Sequence, residues 1–553
     1  MEQRWHKYYQ EGVAHEIDVN NYTSLVQLFE ESCLKYRTRA AYTNYGSSIT
    51  FQQLDNYSRY FAIYLQQLGL KKGDRVAIML PNTLQYPIAL FGILRAGCIV
   101  VNTNPLYTRD EITHQMKDSG AAAIIVLANF ANTLATALPN IPSLKHVIIT
   151  ELGDVFPPLK RLIMNSVVKY IKRQVPKYDI PDQIAFRDCI KPSNNHLAPV
   201  SLTRDDIAFI QYTGGTTGIS KGAILTHGNL IANVLQASTW VEQPLGISCK
   251  DIIVTALPLY HIFSLTANCL TFLRFGAENI LITNPRDISR FIQEIKDRHI
   301  TAITGVNTLF NTLLNHPDFE QINFSKLKLA LSGGMSLQKS VAIAWQQKTK
   351  SRVLEAYGLT ETSPAVTINP MYQENYNGSI GLPLSSTEIS IRDDNGNELA
   401  LGEAGELCVK GPQVMPGYWQ HPDETALAFW PDKFLRTGDI AKMDEKGFIY
   451  LVDRKKDMIL VSGFNVYPNE VEQVISMMPG ILEVGVIGVR KSDADEKVKA
   501  CIVKKDVALT EAEVISHCRK HLAAYKVPKI ICFYDELPKT NVGKILRREL
   551  KSL

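Results

Sequence analysis

The chain has no cysteine pair at CxxC spacing and no cysteine near a histidine at zinc spacing. Its nine cysteines (Cys33, Cys98, Cys189, Cys249, Cys269, Cys408, Cys501, Cys518 and Cys532) are odd in number and widely spaced. That argues against a disulfide framework and favours small buried thiols in a reducing cytoplasm. No stretch approaches the roughly 18 apolar residues of a membrane span. The nearest, 86–101, contains Pro87 and Arg95 and reads as a core helix passing into a buried strand. The opening MEQRWHKYYQEGV holds no apolar run, which argues against a secretory signal. Neither sign of charge is in excess: 59 basic residues face 55 acidic ones, a net charge of +4. That balance gives no reason to expect nucleic acid as a partner. Internal repeats and low-complexity tracts are also missing.

What remains is an ordinary globular composition, 45% apolar and 21% charged. At 553 residues the chain exceeds one hydrophobic core and suggests three or four domain-sized units. SLVQLFEESCLKY (24–36) has helical spacing, RVAIML and AAAIIVL read as buried strands, and NTLQYPIALFGILRAG reads as a helix between them. This alternation predicts an α/β fold with mostly parallel sheets covered by helices. The last hundred residues look self-contained. LEVGVIGV, VKACIV and KIICFY are strand-like, and LTEAEVISHCRKHL opens with a capping box, Thr510 with Glu513. The charged run 453–457 separates this part from the rest. It divides the chain into a large domain, 1–452, and a small α+β domain, 453–553, with a hinge near Asp453.

Residues 155–178 carry six basic residues and no acid. On a helical wheel Leu162, Ile163, Val167, Val168 and Ile171 leave a face for Arg161, Lys169, Lys172 and Arg173. Such a helix suits an anionic membrane surface, or equally a solvated helix packed on its own domain.

YTGGTTGISKG (212–222) is a phosphate nest closed by a lysine. Small residues let backbone N–H groups crowd an anion, hydroxyls add donors and Lys221 adds charge. It is not a Walker A loop, because Ser220 precedes Lys221, Gly222 follows it, and GAIL continues extended until a helix starts near His227. Further stretches follow in order: LPLYHIFSL (257–265), ITGVNTLFN (303–311), LSGGMSL (331–337), EAYGLTETSP (355–364), FLRTGDIA (434–441), LVDRKKDMILVSGFNVYPNEVE (451–472) and LPKTNVGKILRREL (537–550).

With the loop, this set resembles the adenylate-forming superfamily of acyl-CoA ligases, luciferases and peptide-synthetase adenylation domains. It is most similar to bacterial long-chain fatty acid–CoA ligases, and the resemblance covers nearly the whole chain. It implies a large adenylation domain and a small mobile C-terminal domain. The implied chemistry has two steps. A fatty carboxylate attacks the α-phosphate of ATP and pyrophosphate leaves; the CoA thiol then attacks the acyl carbon and AMP leaves.

The resemblance also assigns residues. Tyr212, Thr213, Gly214, Gly215, Thr216, Thr217, Gly218 and Lys221 match the phosphate loop. Thr213 and Glu361 match the Mg²⁺ positions; a carboxylate and a hydroxyl suit a hard cation. Gly333, Gly334, Glu355, Ala356, Tyr357 and Gly358 match the adenine site, and Thr360 the phosphate side. Asp439 matches the ribose ligand, and Arg454 and Lys456 match nucleotide contacts. Lys544 matches the catalytic lysine that bridges carboxylate and α-phosphate, and His261 a position near the carboxylate. Tyr260, Leu265, Gly305 and Val306 fall along the expected acyl site, with Ser462 and Gly463 near the pantetheine path. Asp453 matches the hinge about which the small domain turns.

Three positions depart from the pattern. Leu265 stands where some long-chain ligases carry a tryptophan gate, Ser220 replaces the usual proline, and Leu460 replaces a nucleotide-contacting lysine of some relatives. Apart from the resemblance, the basic tail with Lys539, Arg547 and Arg548 is open to a reading as mere surface charge, and Lys544 as an ordinary lysine. The implied partners are a long-chain fatty acid, ATP and CoA. The implied location is cytoplasmic and peripheral on the inner membrane face, with homodimers common among relatives. Rival readings are a fatty acyl-AMP ligase serving a carrier protein, a nucleotide-binding regulatory module of P-loop type, and an inactive scaffold. Intact VSGFN disfavours the first and the loop spacing the second; the presence of Lys544, Glu361 and Asp439 disfavours the third.

Overall fold

A computed structural model describes residues 3–213, 220–461, 464–490, 496–540 and 543–553. Helix and strand alternate as the apolar pattern predicts. The strand Arg75–Met79 leads to the helix Gln85–Arg95, whose Pro87 sits in the first turn, where an N–H has no helical acceptor to lose. Every residue of that helix is buried, so it shows no polar stripe. The strand Ile99–Asn102 follows and pairs parallel with Arg75–Met79.

Among the described residues, two large sheets organise the N-terminal body. One has seven strands, ordered Ile184–Ala185, His146–Thr150, Ala123–Leu127, Arg75–Met79, Ile99–Asn102, Ile207–Thr213 and Lys221–Thr226. All its pairings are parallel except the last, the hairpin that carries the phosphate-type loop. The other has nine strands. Its middle is parallel: Glu278–Leu281, Ile252–Thr255, Ala302–Gly305, Leu329–Ser332 and Val353–Gly358. A four-stranded antiparallel sheet follows, from Glu388–Arg392 to Ile449–Arg454.

The C-terminal body is smaller. The strands Ile481–Val489, Lys497–Lys504 and Ile530–Tyr534 form its sheet, covered by the helices Pro468–Ser476 and Glu511–His521. It has its own core of Val471, Ile475, Val484, Ile502 and Val514. The capping box at Thr510 forms as read: Glu513 N–H donates to Thr510 Oγ1 at 3.3 Å, and Thr510 N–H to Glu513 Oε2 at 2.8 Å. The fold is therefore α/β, with a large N-terminal domain and a small C-terminal one. All nine cysteines are free thiols, seven of them buried. No helix among the described residues is long and apolar enough to cross a membrane.

The basic segment departs from its wheel. The helix Pro158–Ser166 runs on into a wide π turn, Val167–Ile171. The wider turn shifts the following side chains round the axis. Val168 is buried, whereas Leu162, Ile163 and Ile171 are 65%, 55% and 74% exposed. The helix is instead held by polar contacts on its inner side. Lys160 Nζ donates to Tyr45 O, and Asn165 Oδ1 accepts from Gly153 N–H at 2.7 Å.

Candidate functional site

The seven-stranded sheet delivers Thr213 at the carboxyl end of Ile207–Thr213, directly across the hairpin from Lys221. Successive strand residues point to opposite faces. Tyr212 accordingly turns its ring into the core, where its hydroxyl donates to Asp118. Thr213 and Lys221 face a cavity instead. Lys221 Nζ lies 3.5 Å from Glu424 and 5.7 Å from the centre of the Tyr418 ring. Gly214, Gly215, Thr216, Thr217 and Gly218 lie outside the described residues, as do Ser462 and Gly463.

The cavity has a volume of about 2230 Å³ and lies between the large and small domains. It opens where parallel strands of the nine-stranded sheet end, the usual ligand crevice of α/β sheets. Leu257, Val306 and Gly333 follow three such strand ends and line it. Gly334, with φ +77°, turns the chain away where a side chain would be strained. Beside it run Glu355, Ala356, Tyr357, Gly358, Thr360 and Glu361. Gly358 has no room for a side chain, since a Cβ there would meet Pro364 O at 2.0 Å.

Three carboxylates, Asp439, Glu361 and Glu355, are fixed on this wall. The Tyr357 hydroxyl donates to Asp439 Oδ2 at 2.7 Å, and Arg454 Nε lies 3.3 Å from Asp439 Oδ1. Asp439 and Arg454 are cross-strand neighbours, so the pair is set by sheet register. Glu361 Oε1 accepts from the Tyr418 hydroxyl at 2.8 Å, and its carbonyl accepts from Met415 N–H at 2.8 Å. Glu355 is buried and accepts from Leu337 N–H at 3.0 Å. Burial pushes its carboxyl up to about 8.

The small domain closes the cavity with Lys544. Its turn is pinned by Thr540: Lys544 N–H donates to Thr540 Oγ1 at 3.1 Å, and Thr540 N–H to Lys544 O at 2.7 Å. The neighbouring Gly543, with φ +84°, accepts from the Thr308 hydroxyl of the large domain at 2.9 Å. Burial, then the nearby Arg454, pushes the Lys544 ammonium down to about 8. His261 lines the same cavity. Burial first, then Lys544, pushes its imidazole down to about 4, so it is neutral at neutral pH. Its Nδ1 accepts from Phe263 N–H at 3.4 Å, which leaves the proton on Nε2. Partial burial and Arg454 also lower Lys456, a further lining residue.

An apolar arm leads off this polar centre. Its lining is Phe263, Ala267 and Phe272, Ala237 and Val241, and Leu329 and Leu331 of the sheet, interspersed with Asn233, Thr266 and Thr271. The expected acyl site thus keeps Val306 and His261, while Tyr260, Leu265 and Gly305 are not on the cavity wall. Leu265 is wholly buried in the core. The arm's second wall, the helix His227–Leu245, escapes sequence reading because most of its residues are buried and its stripe merges with the core. Tyr418, the partner of Glu361, carries no motif that marks it. Of the basic tail, Arg548 is exposed, whereas the other two residues are paired. Lys539 pairs with Glu483 at 2.7 Å, and Arg547 is held by three carboxylates.

Comparison with known proteins gives the same outline. Residues 29–419 match the family described as AMP-binding enzyme, and 470–544 the AMP-binding enzyme C-terminal domain. A long-chain-fatty-acid–CoA ligase of Yersinia pestis is 54% identical, the alignment covering 100% of this chain and 98% of that one. One from Bacillus subtilis is 38% identical over 99% and 97%. Among solved structures, an anthranilate CoA ligase in complex with anthranoyl-AMP superposes with a TM-score of 0.85 at 26% identity, covering 97% and 98%. ATP-bound MatB from Rhodopseudomonas palustris gives 0.77 at 28% identity, covering 95% and 98%.

Proposed function

The chain belongs to the AMP-binding enzyme family, and from that premise we propose that it is a long-chain fatty acid–CoA ligase. The observation that carries the reading is the joining, in one cavity, of a nucleotide-type wall, a buried lysine and an apolar arm. The acid lies along the arm with its carboxylate at the polar centre. ATP lies on the wall, its ribose hydroxyls toward Asp439 and its phosphates toward the 212–222 loop and Lys221. Attack of a carboxylate on a polyphosphate brings anions together, so charge neutralisation dominates the first step. Lys544, placed between carboxylate and α-phosphate, supplies one fixed positive charge. His261 donates a hydrogen bond through Nε2 without adding charge.

Mg²⁺ fits this site. Thr213 and Glu361 lie on one wall, a hydroxyl and a carboxylate of the kind hard cations take. They would hold it, and it would neutralise phosphate charge. In the second step the CoA thiolate attacks the acyl carbon and AMP leaves. The small domain, turning about Asp453, withdraws Lys544 and admits the thiol.

The protein works in the cytoplasm, peripheral to the inner membrane face, where fatty acids partition. The exposed apolar residues of the helix Pro158–Ser166 and the turn after it, among basic neighbours, support this. Assembly as a homodimer is read from relatives of this type alone, and light scattering measures it.

Product analysis tests the reaction. Fatty acids of increasing length with ATP, Mg²⁺ and CoA give acyl-CoA, AMP and pyrophosphate, with the optimum at long chains; chelating Mg²⁺ stops the reaction. Acyl-AMP that accumulates whether or not CoA is present would identify the carrier-protein ligase instead. ADP would contradict the reading.

A further inference from the structure

Arg547 lies three residues beyond Lys544 and makes more polar contacts than anchoring a surface tail requires. Its Nε and Nη2 donate to Glu472 Oε1 at 3.1 and 2.9 Å, and Nη2 donates to Asn469 Oδ1 at 2.6 Å. Both partners belong to the helix Pro468–Ser476 of the small domain. Its Nη1 donates to Asp453 Oδ1 at 3.0 Å and, more weakly, toward Asp457 Oδ2 at 3.4 Å. Asp453 is the penultimate residue of Ile449–Arg454, an edge strand of the four-stranded sheet, and pairs there with Ile440. Its side chain is 0% exposed. Its other oxygen, Oδ2, accepts from Asn469 N–H at 2.8 Å.

One guanidinium therefore spans the junction. Two of its acceptors ride with the small domain, and one sits in the sheet of the large domain at the chain crossing. Among the described residues, Arg547–Asp453 is the one ion pair that ties residues 464–553 to residues up to 454. The other ties across the junction are hydrogen bonds: besides Asn469 N–H to Asp453, Gln473 Nε2 donates to the Tyr376 hydroxyl at 3.5 Å. Thr308 donates to Gly543 O at 2.9 Å, and Asn311 Nδ2 to Leu482 O at 2.8 Å. A planar fork that reaches several acceptors at once fixes direction as well as distance.

We propose that Arg547 is a positioning residue for the first half-reaction: it locks the small domain to the buried Asp453 in the orientation that holds Lys544 in the cavity. A rotation about residue 453 must break or re-form this bond. The lock therefore favours adenylation and opposes the arrangement that admits CoA. The inference rests on the proposed role of Lys544 and on the turn about Asp453.

The full-length protein tests it by separating the half-reactions. Fatty-acid-dependent exchange of pyrophosphate into ATP reads adenylation, and conversion of preformed acyl-AMP with CoA reads thioester formation. Arg547→Met lowers exchange by roughly 10²-fold, the usual cost of a displaced catalytic group, and leaves thioester formation within a few-fold. Arg547→Lys restores part of the exchange. Asn469→Ala keeps every charge and lowers exchange in the same direction by a smaller factor, which serves if Arg547→Met does not fold. Equal loss of both half-reactions, or no loss of either, overturns the lock. Lys544→Ala is run beside it. If that variant exchanges normally, the underlying role of Lys544 fails; if it loses exchange while Arg547→Met loses both halves equally, only the lock fails.

Discussion

Lys544 and His261 share one cavity, and burial lowers both, with opposite consequences for charge. Lys544, pushed down to about 8, is still charged at neutral pH; His261, pushed down to about 4, is not. In the proposed reaction the charge set against carboxylate and phosphate would come from the lysine, and it would be lost as pH rises through its pKa. In the free enzyme, kcat/KM for adenylation is flat below pH 8 and falls about tenfold per unit above it. Pyrophosphate-exchange rates across pH 6 to about 10 measure this, and Lys544→Ala abolishes the limb. Absence of an alkaline limb near pH 8 in the wild type, or its persistence in Lys544→Ala, would show that Lys544 does not carry the titrating charge. That these residues share one cavity was legible through contiguous motifs, EAYGLTETSP and TGD, and for Lys544 through the resemblance alone. Tyr212 was legible only as part of its loop; strand alternation sends its ring to the opposite face from Thr213. Arg547 read as tail charge because its partners Asp453 and Glu472 lie 94 and 75 residues earlier in the chain.

Among the elements, two helices carry what periodicity could not resolve. The helix His227–Leu245 presents Ala237 and Val241, four residues apart, to the apolar arm. Nearly every other position in its middle is also buried, so no pattern distinguishes a face toward substrate from a face toward core. The helix Pro158–Ser166 shows the reverse problem. Its apolar residues suggest an inward face, yet polar anchors hold its inner side, and Leu162 and Ile163, before the π turn, and Ile171, at its end, are exposed. Each such side chain gains roughly 1.5–3 kcal/mol if fully buried, and each basic neighbour about 1 kcal/mol near an anionic surface. If this face docks as proposed, wild-type protein is expected to sediment with vesicles containing phosphatidylglycerol and to leave uncharged vesicles largely unbound. Leu162→Glu with Ile171→Glu abolishes the binding and spares turnover of a soluble, shorter acid. Unchanged sedimentation of this variant would show that the face has no part in docking.

On the scale of the whole molecule, sequence and structure agree on the α/β class, the mostly parallel sheets and the small separate C-terminal core. These follow from strong local signals: buried β-rich runs, capping residues and helices of ordinary length. Less legible is the way two bodies share one site, because long-range packing sets it. Thr308 and Asn311 of the large domain bond to Gly543 and Leu482 of the small one, and no local pattern announces either contact. In the proposed reaction the small domain would bring Lys544 to that shared site for adenylation and release it for thioester formation. The most direct measurement compares wild type and Lys544→Ala in both half-reactions with a long-chain acid. The account predicts that the variant loses acyl-AMP formation from Mg-ATP by several orders of magnitude yet converts supplied acyl-AMP and CoA to acyl-CoA at close to the wild-type rate. Retained adenylation in the variant, or equal loss of both steps, would contradict it.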